Sequence, residues 1–174
     1  MSSQGSSEIT TSLPWYALKV RTRSESDASS ALQQQGFFSY CPTVAERRRY
    51  IDRMRTVHVP VFPGYVFCQF QLERKSKVLN SIAVEYIVSF GAKPAAIPEE
   101  QIVSLRRVMD DGGTTAPFLS AGQRVRVTHG SLIGVEGILL KQPESENSKL
   151  VLSVDILERS VSVTIPEAFV AAIQ

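Results

Sequence analysis

The sequence predicts an α+β chain in two parts, an antiparallel sheet flanked by helices followed by a small β-barrel. Two observations carry this. Residues 13–111 mix alternating apolar runs with helix-periodic ones through hairpin-like connections, which favours a helix-flanked sandwich over a doubly wound sheet. Residues 122–174 hold only short strand-like runs separated by turns bearing Gly, Pro and Asn. Residues 112–121 have Gly, Thr and Pro without periodicity and read as a linker. The Ser/Gly/Thr-rich residues 1–12 cannot bury enough surface to offset ordering entropy and read as a disordered tail.

In the first part, WYALKV (15–20) alternates and reads as a strand. SESDASSALQQQGF reads as a helix with Ser24 at its N-cap, Glu25 and Asp27 in the first turn and Gly36 just past its end. Its inner stripe is Ala28, Ala31, Leu32 and Gln35, thin enough to need a sheet beneath it. FFSYCPTVAERRRYIDRMRTVHVPVF reads as two strands around a charged turn at Ile51–Arg53. PGYVFCQFQL is the next strand, with Pro60 and Pro63 outside it because proline lacks a ladder donor. Gly64 permits a sharp entry or bulge there, and Tyr65 is expected near a sheet edge. ERKSKVLNSI reads as a short helix with Val78, Leu79 and Ile82 inward, and VEYIVSFG as one strand. IPEEQIVSLRRVMDD is the clearest helix, with Pro98 near its first position and Ile102, Leu105 and Met109 on one face. Beyond the linker, RVRVTHG, VEGILLKQ, SKLVLSVDIL and RSVSVTI are short strands. About 50 residues of this kind suit a binding module better than an enzyme pocket.

Composition narrows the function classes. The chain is 43% hydrophobic and 21% charged, the balance of a soluble globular protein, and no apolar run approaches the roughly 18 residues that cross a bilayer. The opening MSSQGSSEITTS has neither a basic nor an apolar region, so it does not read as a signal peptide. Cys41 and Cys68 are far apart, outside any CxxC pair, and fit two reduced core thiols in a cytoplasmic protein. Neither His58 nor His129 has a Cys or carboxylate at metal-ligand spacing, and no GxSxG, GxxxxGK[ST] or GxGxxG stands in a strand–helix context. The expectation is a non-enzymatic binding protein without metal or cofactor. The net charge of +2 is uneven, +3 over residues 1–113 and −1 over 114–174. Most of the excess lies in ERRRYIDRMR, where Arg47, Arg48, Arg49, Arg53 and Arg55 form a basic patch suited to nucleic-acid phosphates or an acidic protein surface.

The order WYALKV, PVFPGYVFCQF, IVSFGAKPAAIPEEQI and GQRVRVTHGSLIGVEGILL resembles the NusG family of transcription elongation factors, from about Trp15 to Ile165. The resemblance implies a NusG N-terminal domain over residues 13–111 and a KOW domain, an SH3-like five-stranded barrel, over 122–174. Gly122, Val125, Val127, Gly130 and Gly137 fit the KOW pattern; Gly130 suits a positive φ and Gly137 a close backbone approach. The resemblance further implies binding to the clamp helices of RNA polymerase, bridging of its cleft and suppression of pausing. Its polymerase-binding candidates are Trp15, Tyr16, Phe62, Pro63, Gly64, Tyr65, Phe67, Val88 and Phe90. Tyr65 and Phe67 share a strand face and are expected on the outside. The arginine run and lean N-terminal domain are similar to specialised RfaH-like antiterminators of particular operons, whose basic hairpin would face nontemplate DNA or polymerase. The KOW domain implies Rho or a small-subunit ribosomal protein as partner, through Ile156, Leu157 and Arg159, in a monomeric factor. Leu157–Glu158 stands where the family commonly has Phe-Gly, which reads against Rho. The alternating residues 148–165 favour strands over a helical hairpin, so a constitutive barrel is expected.

Overall fold

The computed structural model describes residues 12–116, 122–140, 147–154, 157 and 159–173. The expected tail therefore lies outside the described residues except for Ser12, as do residues 117–121 of the expected linker, Ile156 and Glu158.

Strand β1 (Trp15–Val20) is buried along nearly its whole length, as a strand covered on both faces must be. It lies between β5 (Tyr65–Gln69) and β6 (Val84–Ile87), with β2 (Phe38–Tyr40) outside β5, and short β9 (Ala96–Ile97) pairs with its start. All pairings are antiparallel. Helix α1 (Glu25–Gln34) and short α2 (Lys75–Leu79) cover one face, burying Ala28, Leu32 and Val78 against Tyr16, Leu18, Val20, Val66, Cys68 and Phe70. Helix α3 (Glu99–Asp110) covers the other, where Ile102, Leu105 and Val108 pack with Trp15, Ala17, Phe62 and Phe67. Each residue type follows strand alternation.

Residues expected to form two long strands divide into three. The chain leaves the main sheet after β2 at Cys41–Pro42 and continues as a separate ribbon, β3 (Thr43–Arg49) paired with β4 (Met54–Pro60). Its turn closes with Tyr50 N–H donating to the Arg53 carbonyl at 2.9 Å, at the expected place. VEYIVSFG likewise divides into β6 and a small hairpin, β7 (Ser89–Phe90) with β8 (Lys93–Pro94). Leu79 and Ile82 are exposed rather than inward, because α2 is too short to turn more than Val78 onto the sheet. Ser24 occupies the α1 cap position without a side-chain cap bond, and Pro98 caps α3 one position before its expected place.

The second unit is a six-stranded antiparallel sheet in the order β10 (Thr114–Ala116), β14 (Arg159–Pro166), β13 (Asn147–Val154), β12 (Glu136–Leu140), β11 (Gln123–Val127), β15 (Val170–Ala172). This differs from the expected five strands, because β10 comes from residues read as linker and pairs with Ser160–Ser162. The backbone places Gly130 at φ 83°, and a Cβ on Gly137 would stand 2.5 Å from the Val151 carbonyl oxygen. Both glycines meet the demands inferred from the sequence.

The two units meet along α3. Gln101 Nε2 donates to the Ser153 carbonyl at 3.0 Å, and Arg107 Nη2 donates to the carbonyls of Ser131 and Ile133 at 2.6 and 2.8 Å. Ser131 returns a hydrogen bond to Asp111 at 2.7 Å. The apolar residues of both sheets on this side form one contiguous core.

Candidate functional site

The Phe62–Tyr65 segment explains why prolines precede a good strand. Tyr65 N–H donates to the Phe62 carbonyl at 3.0 Å, and Gly64 sits at φ 82°. Proline at the second position and a left-handed glycine at the third are the signature of a type II turn. It is a turn rather than a bulge, and it follows the end of ribbon pairing at Thr43–Pro60. Strand β5 lies inside the sheet rather than at its edge, but β2 reaches only as far as Phe67, so Tyr65 keeps an open flank.

The expected aromatic site divides by burial. Phe67 is 0% exposed, and Trp15 and Phe62 are buried with it, Phe62 meeting the Phe67 ring edge-on at 5.4 Å. The expectation that Phe67 faces outward is corrected: its face is the one α3 covers. Tyr16 lies on the opposite face, against Phe70 at 4.8 Å, and cannot share a surface with Trp15. Gly64 is buried in its turn, while Pro63 is exposed. Val88 is half-buried beside Ala17, whose carbonyl accepts its N–H at 2.9 Å. Phe90 is 73% exposed on the small hairpin.

What remains open is a row across the sheet end. Lys19 on β1 pairs with Tyr65 on one side and Tyr86 of β6 on the other, which places all three on one face. The Lys19 ammonium lies 4.8 Å from the Tyr65 ring centroid, a cation–π contact, and Tyr86 is 52% exposed. Lys19 and Tyr86 escape sequence reasoning because they become neighbours only through strand register. Their signal was the alternation of WYALKV and VEYI, which fixes faces within a strand but not partners between strands.

On α3, the exposed Arg106 guanidinium lies 5.2 Å from the Trp15 ring and 4.8 Å from that of Tyr40. Burial, opposed by Arg106, pushes the Tyr40 hydroxyl up to about 12. Burial and then the Glu25 carboxylate push the Cys41 thiol up to about 11, and burial pushes Cys68 up to about 12. Among the described residues the Trp15 indole N–H is buried without an acceptor.

The ribbon carries the arginines, all exposed as expected. Pairing places Arg47 with Thr56 and Arg49 with Met54 on one face, beside the Ala45–His58 pair, so that face carries no carboxylate. Arg48 and Arg55 stand opposite each other on the other face, where Arg48 ion-pairs with Glu46 at 3.1 Å and Arg55 lies 5.8 Å from the Tyr50 ring. Arg53 closes the turn beside a fully exposed Ile51.

Of the second unit's expected contact residues, Leu157 is buried in the core, which corrects its reading as a surface contact. Arg159 is exposed at the start of β14, and Ile156 lies outside the described residues.

A helix-flanked antiparallel sheet with a basic ribbon is thus followed by a unit built mainly of strands among the described residues. Residues 13–106, more than half of the chain, match the family model NusG, "Transcription termination factor nusG". The chain belongs to the NusG family. The solved structure described as "Domain interaction in Thermotoga maritima NusG" superposes with a TM-score of 0.55 at 18% identity, covering 92% of this chain and 97% of that one, and so shares its fold. The two conformations, A and B, described as "Crystal Structure of MjSpt4:Spt5 complex" reach TM-scores of 0.31 and 0.30 at 14% and 15% identity, each covering 92% of this chain and 98% and 97% of theirs.

Proposed function

We propose that this chain is an elongation factor that binds RNA polymerase at the clamp helices, bridges the cleft, suppresses pausing and acts in antitermination of particular operons. The observation that carries the reading is the partly exposed row of Tyr65, Lys19 and Tyr86 on the unit that matches the NusG family. Half-exposed tyrosines, Tyr65 with a cation against its ring, offer apolar area with a polar tip, the chemistry of a wet protein interface. Trp15, Phe62 and Phe67 support that surface from beneath. The carboxylate-free face of the ribbon, with Arg47 and Arg49, suits nontemplate DNA phosphates or an acidic polymerase surface.

The factor acts as a cytoplasmic monomer without catalysis or cofactor, in the manner of an RfaH-like paralogue. Its second unit serves as a KOW-type SH3-like barrel that recruits a further partner. Burial of Leu157 removes one expected contact for Rho or a small-subunit ribosomal protein, while Arg159 stays exposed; a general factor coupling polymerase to Rho is the alternative reading. An elongation assay on a long template, with and without Rho, tests the reading. Faster elongation with resistance to Rho supports it; enhanced termination supports the general factor, and no effect on polymerase overturns both.

A further inference from the structure

Glu25 is an acidic side chain in the first turn of α1, where a carboxylate ordinarily stands in solvent near the helix N-terminus. Here it is 3% exposed, and its Oε1 accepts the Gly64 N–H at 2.7 Å. This amide belongs to the central peptide of the Phe62–Tyr65 turn. Type I and type II turns differ by a flip of that peptide, so whatever holds its N–H selects the turn. The next peptide unit, Gly64–Tyr65, is also held. The Gly64 carbonyl accepts Val20 N–H at 2.9 Å, and Lys19 lies so close over the Gly64 α-carbon that a side chain there would collide with its ammonium.

We propose that Glu25 is a positioning residue: its buried carboxylate locks the Pro63–Gly64 peptide in the type II orientation and thereby aims Tyr65, under Lys19, into the recognition row. This deepens the polymerase-binding reading and rests on it. A carboxylate is placed here because a buried, charged acceptor holds a backbone N–H more firmly than a neutral one. Losing it leaves that donor buried without a partner. The peptide then turns toward solvent, and Tyr65 loses its fixed approach to the Lys19 ammonium. Position 25 reads as an ordinary helix-start acid in the sequence because its partner lies 39 residues away.

The test separates reach from charge in the full chain. Glu25→Gln keeps an acceptor oxygen at the same reach, whereas Glu25→Asp keeps the charge but falls one methylene short. Affinity for bacterial core RNA polymerase is expected to fall about tenfold in Glu25→Asp and less than about threefold in Glu25→Gln. Amide exchange at Gly64 should accelerate in Glu25→Asp while amides in the centre of α3 keep their protection, which a general loss of stability would not produce. Equal affinities in the two variants, the reverse order, or unchanged Gly64 exchange in Glu25→Asp would overturn the proposal. Tyr65→Ala serves as the separate control. If it binds polymerase as tightly as the native chain, the polymerase reading has failed, and Gly64 exchange still decides what Glu25 does to the turn.

Discussion

Arg107 on α3 donates a hydrogen bond to the Ile133 carbonyl across 2.8 Å, tying the helix that covers the first sheet to a loop of the second. The same nitrogen reaches Ser131, so one guanidinium satisfies two carbonyls of a different unit. Arg107→Ala is expected to cost about 1 kcal/mol after discounting for solvent screening. Urea denaturation should show the loss, and amide exchange should quicken in residues 131–135. Unchanged exchange there would mean that the contact does not hold the units together.

The burial of Phe67 makes a second prediction. Phe67→Ala removes a side chain from the centre of the core and is expected to destabilise the protein by about 3–5 kcal/mol. Tyr65→Ala, at the half-exposed end of the same strand face, should cost about 1 kcal/mol. Thermal unfolding of the two variants checks this, and similar losses would contradict the assignment of Phe67 to the core.

Alkaline pH should weaken the fold in a defined window. Cys41, Cys68 and Tyr40 hold their protons more tightly in the folded chain than in the unfolded one, toward about 11, 12 and 12 against ordinary values of 9.0 for the thiols and 10.0 for the phenol. Their contribution is complete below the unfolded values and is lost as pH rises through 9 toward 12. Denaturation midpoints measured at roughly pH 7, 9 and 10.5 should hold between the first two and fall at the third. Iodoacetamide should label neither thiol of the native protein at roughly pH 8, where the reactive thiolate is absent. Rapid labelling of native Cys41 would contradict the thiol assignment.

Arg47 and Arg49 share the ribbon face without a carboxylate, so reversing both charges should act on the partner rather than on the fold. Arg47→Glu with Arg49→Glu is expected to weaken binding to the transcription complex and to lower its salt slope by about 2. An unchanged salt slope with native affinity would make the ribbon an ordinary solvated hairpin.

Most of the first unit was legible in the sequence because periodicity is local. WYALKV, YVFCQ and EEQIVSLRRVMD announce their elements through spacing alone. The break at Cys41–Pro42 was missed because the β-prone residues on both sides of Pro42 read as one strand, although a proline is where a ladder is interrupted. Strand β10 was missed because Thr114–Ala116 has no pattern of its own and owes its shape to β14. The site was legible as composition but not as exposure. Alternation placed Tyr65 and Phe67 on one face, yet only the packing of α3 decides that Phe67 is covered while Tyr65 stays open. Lys19, Tyr86 and Glu25 became visible only through strand register and the turn they enclose.

On the proposed reading, the Tyr65–Lys19–Tyr86 row is the polymerase-binding surface. Its most direct test is the affinity of the full chain for bacterial core RNA polymerase, measured for the native protein and for Tyr65→Ala with Tyr86→Ala. A loss of about 100-fold is expected in the double variant, with thermal unfolding shifted by only a few degrees. Native affinity in a folded double variant would contradict it.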